Sequence, residues 1–160
     1  MNALAPITAQ VKPAEPLYRR AAIESNANVL PQIYNQDTNI VIWQRDLEQT
    51  FTNAVNTLIS ANALKPLELA VSPDDAFDQL IKTLKPEDNN RDEVKALCED
   101  IALLVEMFCC LFDLKRAGLR LKILDKPMCP RFHVDKIPCR LVTTYQGVAT
   151  QWLNHSDVNR

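Results

Sequence analysis

The chain has 160 residues, 47% of them hydrophobic and 24% charged, an ordinary balance for one soluble domain with a sizeable core. That balance excludes a disordered, collagen-like or rod-like chain. A net charge of −2 excludes a generic nucleic-acid binder, and only 2 glycines argue against a phosphate-cradling nucleotide fold.

Residues 1–36 are punctuated by Pro6, Pro13, Pro16 and Pro31. They read as an extended arm with a short helical turn near Tyr18–Ser25. The first fifteen residues lack a basic then apolar leader, and the five cysteines are an odd number. Both point to reduced thiols in the cytoplasm. The longest apolar run, residues 101–112, is short of the about twenty residues a membrane span needs.

From residue 37 a single α+β domain is expected. Asn39–Trp43 is β-branched and aromatic and reads as a strand. A helix follows over residues 47–63, with Leu47, Phe51, Ala54, Val55, Leu58 and Ile59 at helical spacing, ended by Pro66. Leu67–Val71 is a short strand. Ser72-Pro73 then starts a second helix, the serine as cap and the proline in the first turn. A long helix over residues 91–114 has a wide apolar face, and Gly118 is read as its C-terminal cap.

After Gly118 the pattern changes to a period of two. Strands are expected at residues 119–123, 131–135, 140–145 and 150–153. Between Leu114 and Arg140 eight basic residues face only Asp125 and Asp135, a local field suited to an anionic ligand or simply a solvated face.

The chemistry concentrates in residues 128–145, MCPRFHVDKIPCRLVTTY. In His133-Val134-Asp135 the two outer side chains share one face of a strand and could hold one metal ion. They form two-thirds of the two-histidine, one-carboxylate set that binds iron(II) with open positions. Cys129 and Cys139, four residues before the histidine and four after the aspartate, offer a zinc alternative. Arg140 and Arg131 are candidate anion or substrate contacts. A third reading has no site, with His133 and Asp135 only a hydrogen-bonded pair at a sheet edge. Cys98, Cys109 and Cys110 read as small core residues. His155 reads as a surface residue.

The blocks C-P-R-F-H-V-D, R-L-V-T-T-Y and G-V-A-T-Q-W-L, with the tail D-V-N-R, resemble the uncharacterised bacterial DUF family numbered eighteen-twenty-six. The resemblance covers about residues 37–160 and is specific in 128–153. It implies a link to metal homeostasis and a protein partner in that process. The histidine-aspartate strand is also distantly similar to that of iron(II)/2-oxoglutarate oxygenases. That likeness implies a partial double-stranded β-helix, a jelly-roll or cupin-like antiparallel sheet behind the helical layer. It also implies Fe(II) or Zn(II) at the site, with 2-oxoglutarate only if a full-length protein is an oxygenase. The family continues past this point, so the domain over 37–160 is expected to be incomplete, with open sheet edges that invite self-association.

Overall fold

The computed structural model describes residues 18–127, 129 and 131–158. Strand β1 (Arg20–Glu24) pairs in parallel with β2 (Thr38–Trp43), with a register shift after Arg20. Parallel neighbours need a crossover of about a dozen residues. Residues 25–37 supply it as a 3-10 helix, Ala27–Tyr34, whose Asn26 side chain accepts from the Asn28 N–H. The helical turn expected near Tyr18–Ser25 is therefore strand β1, because Ala21–Glu24 match the β-branched run of β2 residue for residue. Pro6, Pro13 and Pro16 lie outside the described residues.

Three helices form the main layer. Helix α1 spans Gln49–Ser60, α2 Ala76–Leu84 and α3 Arg91–Phe112. Both α1 and α2 pack on α3. Their apolar faces meet in a core of Ala54, Val55, Leu58, Leu80, Leu84, Val94, Leu97, Cys98 and Ile101. Helix α2 starts later than the Ser72-Pro73 signal indicates: Asp75 takes the N-cap position, and Ser72 and Pro73 belong to the turn ahead of it. The Asp75 carboxylate accepts from the Ser72 N–H at 2.7 Å, which closes the first turn and holds the Asp75 pKa below its usual range. No helix among the described residues is long and apolar enough to cross a membrane.

Strand β3 (Leu67–Val71) pairs antiparallel with β4 (Ala117–Leu121), and Leu67, Leu69, Leu119 and Leu121 pack onto the helical core. Gly118 lies inside β4, not at a helix end. Helix α3 stops instead at Asp113, which adopts the left-handed conformation at φ 51°. The Leu114 N–H then reaches back to the Cys109 carbonyl at 2.9 Å, one of the orphan acceptors of the last turn.

The expected jelly roll is not present. The described residues form two separate two-stranded sheets, and no strand follows β4. Residues 131–135, 140–145 and 150–153, expected as strands, are irregular. Proline lacks the N–H a ladder requires, and Pro127 and Pro138 punctuate this stretch. A strand also needs a partner and a surface to bury against. Here Phe132 is 61% and Val134 79% exposed, so neither condition is met. Of the described residues 122–154, all but Asp135, Cys139, Thr144 and Tyr145 are exposed.

Candidate functional site

Two clusters stand out, one foreseen and one not. The first lies on the irregular segment after β4. His133 Nε2 stands 3.4 Å from Asp135 Oδ1, and the other carboxylate oxygen, Oδ2, stands 3.2 Å from Arg140 Nε. His133 Nδ1 faces the Arg131 carbonyl at 3.0 Å. A carbonyl only accepts, so Nδ1 carries the proton in that contact. The neutral ring then presents the Nε2 lone pair to a carboxylate oxygen. Two acceptors facing each other are satisfied by a second proton on the ring or by a cation between them.

So the structure brings His133, Asp135 and Arg140 together and adds the backbone of Arg131. Arg140 contacts Asp135 through Nε alone, and its side chain is 43% exposed. Much of the basic window is likewise paired: Arg120 and Lys122 reach Glu68 at 3.5 and 3.3 Å, and Arg116 donates to the Ala70 carbonyl. Cys129 is exposed and Cys139 half-buried, and neither joins the pair. Burial pushes the Cys139 thiol up, opposed by the Arg140 N–H. Among the described residues no group of three or more His, Cys, Asp or Glu side chains is arranged to hold a metal. His155, the one other histidine, packs edge-on against Tyr18 with ring centroids 5.9 Å apart. Among the described residues, a third donor, as an iron(II) facial triad requires, does not stand beside His133 and Asp135.

The second cluster lies between the helical layer and this segment. Arg45, just after β2, places Nη2 2.5 Å from Asp100 Oδ1, and the Tyr145 hydroxyl donates to Asp100 Oδ2 at 2.5 Å. The Arg45 and Asp100 side chains are only 14% and 11% exposed. The Arg45 guanidinium also lies over the Trp43 ring, 5.0 Å from its centroid. Its Nη1 is buried without a hydrogen-bond partner among the described residues. The Tyr145 ring meets Phe51 edge-on at 6.1 Å. Burial, then the Asp100 hydrogen bond and charge, hold the Tyr145 hydroxyl well above the usual tyrosine range, so it is a neutral donor. An open cleft of about 330 Å³ begins at Asp100 and Phe51 and runs between α1 and α3 past Glu48, Glu99 and Leu103.

Sequence reasoning missed this second cluster. One signal was present. Asp100 sits three residues after Leu97 and four before Leu104, on the core-facing side of α3, where an unpaired charge is costly. Its two partners lie 55 and 45 residues away, beyond the reach of any local pattern.

The family described as "Protein of unknown function (DUF1826)" matches residues 24–160, most of the chain, and the chain belongs to that family. No curated protein and no solved structure matches it.

Proposed function

For this member of a family of unknown function, we propose a zinc-binding role without catalysis, nucleated by His133 and Asp135. One observation carries the proposal. Zinc bonds to nitrogen and oxygen are about 2.0–2.2 Å, so two ligands at the tetrahedral angle stand about 3.4 Å apart. At a right angle, as in an octahedral site, the same bonds need about 3.0 Å. The His133 Nε2 to Asp135 Oδ1 separation of 3.4 Å equals the tetrahedral edge. The Arg131 carbonyl supports the reading, since it fixes the imidazole so that Nε2 is the ligating atom. Cys129 and Cys139 flank the pair in sequence and are the residues that would complete the set. Bound there, zinc would supply a cross-link for a segment that lacks secondary structure of its own. A zinc holder of this kind works with a protein partner that delivers or receives the ion.

The test is titration of the full chain with zinc against a chromophoric chelator, with cobalt(II) as a second probe. One equivalent is expected, with a thiolate-to-cobalt absorption band if the cysteines join. His133→Ala and Asp135→Ala are expected to abolish stoichiometric binding. Absent binding, or binding unchanged in His133→Ala, refutes the proposal.

A further inference from the structure

The segment after β4 leaves the sheet at Leu121 and touches the helical core again at Tyr145 and Gln146. Between those points lie His133, Asp135 and Arg140, and all the described residues of 122–144 except Asp135, Cys139 and Thr144 are exposed. The return contact is built from specific parts. The Tyr145 hydroxyl donates to Asp100, its ring meets Phe51, and its apolar edge packs on the main core. Next to it, the Gln146 Nε2 donates to Asn56 Oδ1 of α1 at 2.6 Å. Arg45 clamps the far oxygen of Asp100, which orients the carboxylate toward the phenol.

From this we infer that Tyr145 is the latch of a strap: the Arg45–Asp100 pair is its receptor on the helical layer, and engaging it anchors the C-terminal end of the His133–Asp135–Arg140 loop on that layer. The chemistry suits a reversible latch. A neutral phenol donating to an oriented carboxylate is a directional bond in a mostly dry site, stronger than the same bond in water. Holding the strap at both ends restricts the excursions of the loop between them. Gly147, at φ +87°, lets the chain turn away directly after the latch. The latch stands without the zinc reading.

The experiment uses the full chain with Cys139→Ser, kept free of zinc by a chelator. The exposed thiols of Cys110 on α3 and Cys129 on the strap are spin-labelled. Their distance distribution is then measured by pulsed electron paramagnetic resonance. A narrow distribution is expected with Tyr145 in place. Tyr145→Phe keeps the ring and removes the hydroxyl, and a broad distribution is expected with the helical circular dichroism unchanged. Tryptic cleavage after Arg131, Lys136 and Arg140 is expected to rise about tenfold in the same variant. Asn56→Ala, which removes an exposed contact only, is expected to leave the distribution narrow. A broad distribution in the parent, or one that Tyr145→Phe leaves unchanged, overturns the latch. Because zinc is absent throughout, failure of the zinc proposal leaves this result readable.

Discussion

Replacing Asp100 with alanine removes the acceptor shared by Arg45 and Tyr145. Both carboxylate oxygens are in use, at 2.5 Å to each partner, so both partners lose their acceptor together. The Arg45 guanidinium stays behind at 14% exposure, with Nη1 already lacking a partner among the described residues and Nη2 now in the same position. Breaking a buried pair by deleting one member costs about 3–5 kcal/mol. The open cleft beside Asp100 admits water to the gap, which places the expected loss at the lower end, about 3 kcal/mol. For a chain of this length each kcal/mol moves Tm by about 2–4 °C, so a fall of about 6–12 °C is expected. Tyr145→Phe removes one hydrogen bond to a charged acceptor and is expected to cost about 1.5–2 kcal/mol. The double replacement Arg45→Met with Asp100→Leu removes both charges and is expected to recover the part of the Asp100→Ala loss that comes from the stranded guanidinium, the Tyr145 hydroxyl still lacking its acceptor. The assay is urea unfolding followed by far-ultraviolet circular dichroism, with the m-value checked for constancy. Asp100→Ala within about 0.5 kcal/mol of the parent refutes the reasoning, because a deleted acceptor for a buried guanidinium cannot be that cheap.

Thiol chemistry separates the five cysteines. Cys110 and Cys129 are exposed and are expected to react rapidly with a disulfide reagent, Cys139 more slowly, and Cys98 and Cys109 only on unfolding; a kinetic count of released chromophore checks this. Stability is expected to fall as pH rises above about 9. Burial pushes the Cys98 thiol from 9.0 to about 12, and Tyr145 is likewise raised, so the unfolded chain releases these protons first and alkali favours it. Urea midpoints between pH 8 and 11 test the sign, and Cys98→Ala is expected to flatten the slope. Leu80→Ala, at a side chain with no exposed surface, is expected to cost about 2–5 kcal/mol, whereas Val134→Ser, 79% exposed, is expected to stay within about 0.5 kcal/mol.

The helical layer was legible because its signals are local. Apolar residues at helical spacing mark α1, α2 and α3, and the core they form uses those same residues, from Val55 and Leu58 to Leu80, Leu97 and Ile101. Strand β3 also falls on the residues that alternation indicates, Leu67–Val71. The strands expected beyond β4 failed for a reason that composition cannot reveal. Half of Arg140–Tyr145 is β-branched, close to the share in β2, yet β2 has β1 beside it and Arg140–Tyr145 has no ladder partner among the described residues. Strand propensity measures fit to a neighbouring strand and a buried face, and without them it leaves an irregular chain. Helix α3 carries a related lesson. Asp113, a residue that tolerates the left-handed conformation, ends the helix five residues before the glycine that seemed made for the task.

The histidine–aspartate pair came together for a reason other than the one its spacing suggested. On a strand, residues two apart share a face, but their backbone carbonyls point sideways into the ladder. The Arg131 carbonyl would then be spent on a neighbouring strand. In the irregular segment it is free to turn toward His133 Nδ1, two residues on, at 3.0 Å. The loss of the strand is therefore what supplies the imidazole with its orienting acceptor. It also leaves the pair without a rigid support of its own. That support comes from Tyr145, ten residues after Asp135 and bound to an aspartate on α3 that no short motif includes. A local motif can thus name side chains that stand together. The distant residues that hold them in place are visible only once the chain is folded.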